Sequence, residues 1–148
     1  MFAPKNILVP TNFSDYCDEA LKGALELAKQ YNAKVYLLHV MEPISPCAPD
    51  YCLDLAAVKE TETGEVLHAK EMMQRELSKY AEYRDVEVIS DVREGEPVEE
   101  ILKEQVEKGV DLIVMPSQGK TGILRRLMGQ ISEKVMEEAK TSVLLVRH

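Results

Sequence analysis

The residues best equipped for chemistry lie between positions 114 and 132, VMPSQGKTGILRRLMGQIS. Gly119, Lys120 and Thr121 form the tail of a Walker phosphate loop. That motif also needs a glycine five positions before Gly119, and Val114 stands there, so a P-loop is excluded. The segment keeps Gly119 and Gly122, the cation of Lys120 and the hydroxyls of Ser117 and Thr121, followed by Gly129 at the start of a predicted helix, QISEKV. Glycines let backbone N–H groups close on an anion, and a helix N-terminus adds free donors and a positive dipole. The chemistry in view is the capture of phosphate.

Other chemistries have less to work with. His39 falls in an apolar strand, His68 on a helix and His148 at the terminus, and none has the spacing of a metal-ligand pair. Ser117 lacks the G-x-S-x-G surroundings of a nucleophile and has no identifiable base. A phosphoacceptor domain of the receiver type needs an aspartate ending a central strand, and VPTNFSD offers Asn12. Cys47 and Cys52 lack the third and fourth ligands of a zinc site and read as loop cysteines. The methionines read as packing residues. No catalytic residue and no metal site is assigned.

The elements that must hold the phosphate segment follow from periodicity. KNILVPT (5–11) and AKVYLLHVME (33–42) are continuous apolar runs, expected of parallel strands covered on both faces. Between them Cys17, Ala20, Ala24, Leu27, Ala28 and Tyr31 recur at helical steps, with Ser14 or Asp15 as N-cap. Residues 43–64 carry three prolines in their first seven positions and no clean period, which predicts an irregular excursion. Val66, Ala69, Met73, Leu77, Tyr80 and Ala81 restore a helix. DVEVISDVREG (85–95) is a strand, and the following helix has Pro97 in its first turn and Gly109 as its stop. VDLIVMPS, a helix over 131–139 and SVLLVRH complete the chain. The order β-α-β-α-β-α-β-α-β predicts a single α/β domain over 1–148: a doubly wound open sheet of five parallel strands, order 3-2-1-4-5, with helices on both faces. The loops after strands 1 and 4, PTNFS and PSQGKTG, then meet where such sheets bind ligands.

Composition bounds the partners. A chain of 148 residues with 45% hydrophobic residues buries roughly two-thirds of its unfolded surface. A net charge of −8 argues against nucleic acid, whose phosphates are held by excess Lys and Arg. No run of apolar residues is long enough to span a membrane, and three cysteines without CxxC spacing fit a reducing compartment, so a cytoplasmic location is expected. The last strand places Val143, Leu144, Leu145 and Val146 at an expected sheet edge, which invites pairing with another chain.

From LLHV through GEPVEEI to DLIVMPSQGKTGILRRLMGQISEKVMEEAKTSVLLVR, the sequence resembles the universal stress protein family, a Rossmann-like fold akin to the adenine nucleotide alpha hydrolases. The resemblance implies ATP binding, with Mg²⁺, little or no hydrolysis, and a homodimer through the last strand. Nucleotide-binding members carry G-x2-G-x9-G-(S/T), which aligns here with Gly119 and Gly129. Pro116 then replaces the first glycine, Gln130 the closing hydroxyl, and Asn12 the aspartate of the first loop. Pro116 has no N–H, Gln130 is longer, and Asn12 keeps the shape of aspartate without its charge. By the same resemblance Pro10, Thr11 and Asn12 lie near ribose and base, and Val40 offers its backbone to adenine. Pro116, Ser117, Gln118, Gly119, Lys120, Thr121, Gly122, Gly129, Gln130, Ile131 and Ser132 surround the phosphates. Two functions follow: a nucleotide-binding stress-response module, or an interaction or chaperone-like protein with a degenerate phosphate loop that meets an unknown protein partner.

Overall fold

A computed structural model describes residues 2–43, 55–117 and 123–147, with the backbone alone over 55–62 and 123–129. Five strands run β1 (Asn6–Pro10), β2 (Lys34–Met41), β3 (Val88–Glu94), β4 (Leu112–Pro116) and β5 (Ser142–Val146). They form one parallel sheet in the order β3-β2-β1-β4-β5, as the alternation of elements predicts. Helices α1 (Asp15–Tyr31), α2 (Leu55–Ser78), α3 (Pro97–Glu107) and α4 (Ile123–Glu138) make the crossovers.

The sheet has two dry faces because alternate strand residues point to opposite sides. Ile7, Val9, Val35, Leu37, Leu112 and Val114 pack with Leu21, Ala24 and Leu25 of α1 and Met73 of α2. On the other face Leu8, Tyr36, Leu38, Ile113 and Met115 meet Val98 and Ile101 of α3 and Val135 of α4. Right-handed crossovers explain the division: the chain winds outward from β1 to β3, then returns across β1 to build β4 and β5, and the reversal puts α3 and α4 on the opposite face.

Local chemistry sets the ends. Ser14 is the N-cap of α1, and Asn32 at φ 55 ends that helix in the left-handed region. Gly109 at φ 59 does the same after α3. Two boundaries differ from expectation. α2 starts at Leu55, inside the predicted excursion, because LAAVKE is rich in helix formers even without a burial period. α4 starts at Ile123 rather than near residue 131, because one glycine within LRRLMGQ costs a helix only about 1 kcal/mol. Cys47 and Cys52 lie outside the described residues.

Gly95 shows how tightly the β3–α3 turn is closed. Its N–H donates to the Met41 carbonyl at 2.9 Å, extending the sheet by one bond. Its φ of 154° is a conformation that L side chains rarely adopt, and a Cβ there would lie 2.6 Å from Oε1 of Glu100. That carboxylate is restrained, since Arg93 Nε donates to it at 2.8 Å and Lys103 Nζ at 3.2 Å. Gly95→Ala should therefore lower stability by about 1–3 kcal/mol in chemical denaturation; an unchanged midpoint would show that the turn relaxes freely.

Candidate functional site

The point where the strand order reverses lies between β1 and β4, and the loop after β1 is held there by an unusual number of side-chain bonds. The Thr11 N–H continues the ladder to Leu38 O at 2.8 Å. The Thr11 hydroxyl donates to the Glu76 carboxyl at 3.0 Å and accepts from the Phe13 N–H at 3.0 Å. The Thr11 carbonyl accepts from Nδ1 of His39 at 2.9 Å. A carbonyl oxygen only accepts, so Nδ1 carries the hydrogen. Phe13 adopts φ 66, uncommon for a bulky residue, with its ring tilted on His39 at 4.6 Å between centroids. Such strain persists only where the surroundings over-determine it.

Asn12 is fixed from one side. Its Oδ1 accepts from the Ser14 N–H at 3.0 Å and from the buried Cys17 Sγ at 3.1 Å. Burial pushes the Cys17 thiol pKa up, so the sulfur stays a donor at neutral pH. These groups border a cleft of about 60 Å³ lined by Pro10, Thr11, Asn12, Leu38, His39, Val40, Pro97, Ile101 and Ile131. That is well below the roughly 300 Å³ of a complete small-molecule pocket.

The structure thus brings Pro10, Thr11, Asn12, Val40 and Ile131 to one cleft. Pro116 and Ser132 meet beside it, the Ser132 hydroxyl donating to Pro116 O at 2.9 Å and pinning α4 to the end of β4. Ser117 donates its N–H to Val146 O at 2.9 Å, which commits that donor to the β5 ladder. Gln118, Gly119, Lys120, Thr121 and Gly122 lie outside the described residues. Gly129 and Gln130 sit inside α4, where backbone N–H groups bond to the preceding turn, so they do not open a helix as the sequence suggested. Gln130 is exposed and does not line the cleft. The free donors of α4 belong to its true first turn, at Ile123.

Matches to known proteins follow the same topology. Residues 4–147 match the universal stress protein family. The chain belongs to that family. A universal stress protein of Methanocaldococcus jannaschii is 35% identical over 145 residues, covering 97% of this chain and 82% of the relative. The solved structure of the protein MJ0577 superposes with a TM-score of 0.80 at 28% identity, over 99% of this chain and 98% of the other. A universal stress protein solved in complex with cAMP shares the fold with a TM-score of 0.71 at 21% identity, over 99% and 98%.

Reading this universal stress protein from sequence missed Glu76. It is 3% exposed on α2, and the spacing Ala69, Met73, Glu76, Tyr80 already placed a carboxyl in the apolar stripe. Burial first, then a hydrogen bond to Asp18, raises its pKa to about 8 despite the Thr11 hydroxyl. The proton it keeps at neutral pH is what satisfies Asp18 Oδ1, which is buried with no other donor among the described residues. Asp18 Oδ2 in turn holds Lys79 Nζ at 2.7 Å.

A pH dependence follows. Between the usual carboxyl value of 4.5 and about 8, the folded protein holds a proton that the unfolded chain has released, so stability falls as pH rises through that window. Glu76→Gln imitates the protonated carboxyl. Its melting temperature should match the parent at about pH 5 and exceed it at about pH 8.5; an equal difference at both values would show that Glu76 is already ionised in the folded state.

Proposed function

We propose that this universal stress protein is an adenine-nucleotide-binding stress-response module that acts by occupancy rather than by turnover. The observation that carries the reading is the cleft at the β1/β4 reversal, where Pro10, Thr11, Asn12, Val40 and Ile131 converge. Its floor of Leu38, Val40, Ile101 and Ile131 suits the apolar faces of a purine, and the Val40 backbone suits its polar edge. Phosphates would extend toward Ser117–Gly122 and the first turn of α4, with Lys120 as their cation. ATP is the ligand the family resemblance favours, and a universal stress protein of this fold has been solved with cAMP. Among the described residues no carboxylate lines the cleft, so Mg²⁺ would arrive on the phosphates rather than on the protein. Among the described residues no helix is long and apolar enough to cross a membrane, and we place the protein in the cytoplasm.

Titration calorimetry of purified protein with ATP, with and without Mg²⁺, should give saturable binding at about 100 μM or tighter. No heat together with no co-purified nucleotide would overturn the reading and leave a protein-partner role. Two features favour that alternative: Pro116 is buried in β4 with no N–H to offer, and Gly129 and Gln130 are spent within α4.

We also propose a homodimer through β5. The strand lies at the sheet edge, and Leu144 on it is 40% exposed. Among the described residues the strand pairs with β4 alone, which leaves its other edge open to pairing. Sedimentation should show a dimer at micromolar concentration, and Leu144→Lys should shift it to monomer. A monomeric parent protein would refute the assignment.

A further inference from the structure

A second cavity lies across the sheet from the cleft. Leu38 and Val40 turn to the face covered by α3 and α4, so His39 and Met41, which alternate with them, turn to the face covered by α1 and α2. There they border a pocket of about 400 Å³ together with Phe13 and with Gly64, Glu65, His68 and Ala69 of α2. That volume falls within the roughly 300–1,000 Å³ of small-molecule sites. His39 is the one lining residue the pocket shares with the cleft.

Two local conformational costs are met at its walls. Gly64 is the one glycine of α2, a residue that costs a helix interior about 1 kcal/mol, and a Cβ built there meets nothing within 4 Å. The missing side chain leaves the cavity open at that point. Phe13 is held at φ 66 with its ring on that of His39 at 4.6 Å between centroids, which fixes an aromatic side chain against the cavity.

The polar groups call for a donor. Nδ1 of His39 gives the ring's hydrogen to the Thr11 carbonyl, so in the neutral imidazole Nε2 is a lone pair, and it meets no donor among the described residues. Glu65 adds an exposed carboxylate and His68 an exposed imidazole. No lysine or arginine lines the cavity among the described residues, so an anion would meet a lone pair and a carboxylate with no cation to hold it. An ammonium group has hydrogens to give and no lone pair, which suits an imidazole nitrogen and a carboxylate together.

We infer that this cavity is a binding site for a small arylalkylamine in its ammonium form. His39 Nε2 and Glu65 accept from the nitrogen, and Phe13, Met41 and Ala69 receive the ring.

The test titrates phenethylamine into the full chain, beside hydrocinnamate and phenethyl alcohol as an anion and a neutral molecule of similar size. Nitrogen NMR of the histidine rings follows binding at about pH 8, where an ordinary imidazole is neutral and an alkylamine is still charged. The amine should give saturable shifts at the ring nitrogens of His39 and His68 and bind about tenfold or more tighter than hydrocinnamate, with the alcohol between them. Glu65→Gln, at an exposed position, should narrow the preference for amine over alcohol by about two- to fivefold. Gly64→Phe places a ring at the open wall and a better helix former in α2, so it should weaken the amine by about tenfold or more in a protein that stays folded. The absence of a saturable shift at His39, affinities for amine and hydrocinnamate within about twofold, or amine binding unchanged in Gly64→Phe would each overturn the inference. Neither result bears on the nucleotide reading, which rests on the other face of the sheet.

Discussion

The whole molecule depends on β1 being paired on both edges and covered on both faces. Leu8 pairs with Tyr36 on one side and Ile113 on the other, and Ile7, Leu8 and Val9 are fully buried. A strand in that position has no choice of register, because a slip of one residue would exchange the side chains committed to the two cores. With β1 fixed, right-handed crossovers send the chain one way through β2 and β3 and the other way through β4 and β5. The strand order therefore reverses between β1 and β4, and the loop leaving β1 borders the cleft there. The candidate site is a consequence of winding direction before any side chain is placed in it.

Side chains then decide how firmly that gap is shaped. Thr11 is the hub, joining β2 through its N–H, His39 through its carbonyl, and Phe13 and α2 through its hydroxyl. The partner on α2 is a carboxyl that keeps its proton near neutral pH, so an otherwise costly buried charge is replaced by a neutral donor and acceptor. A similar solution occurs on the opposite face. Burial first, then the neighbouring Asp91, raises Glu104 to about 7, while Arg93 donates to Glu100, Glu104 and Glu107 together. Asp91 Oδ2 and Glu104 Oε2 have no other donor among the described residues, and a proton kept on Glu104 meets that need. The carboxyls that enter the interior keep a proton, as Glu76 and Glu104 do, or share a cation, as Glu100 does with Arg93 and Lys103.

At three positions the sequence departs from the pattern that the family resemblance implies. Asn12 preserves the turn and alters what the turn offers. Pro116 is accommodated as the last residue of a buried strand, where its carbonyl still accepts from Ser132. Gln130 is absorbed into a helix that runs through it. Each change is compatible with the fold, and of the three Asn12 alone lines the cleft.

Sequence alone determined the strand order, the two-faced core and the reversal of the order between β1 and β4. All three follow from period, burial and crossover handedness, which local patterns carry. It also marked Pro10, Thr11, Asn12, Val40 and Ile131, through the resemblance to the universal stress protein family. Tertiary structure alone decided which atoms of those residues are free. Oδ1 of Asn12 is spent because Cys17 and Ser14 reach it across the first turn of α1, and the Thr11 hydroxyl is spent because Glu76, 65 positions away, is buried against it. Local propensity also misplaced the start of α4, since helix formers on both sides of Gly129 outweighed the glycine as a stop. A sequence records which groups can bond, whereas long-range packing decides which have already done so.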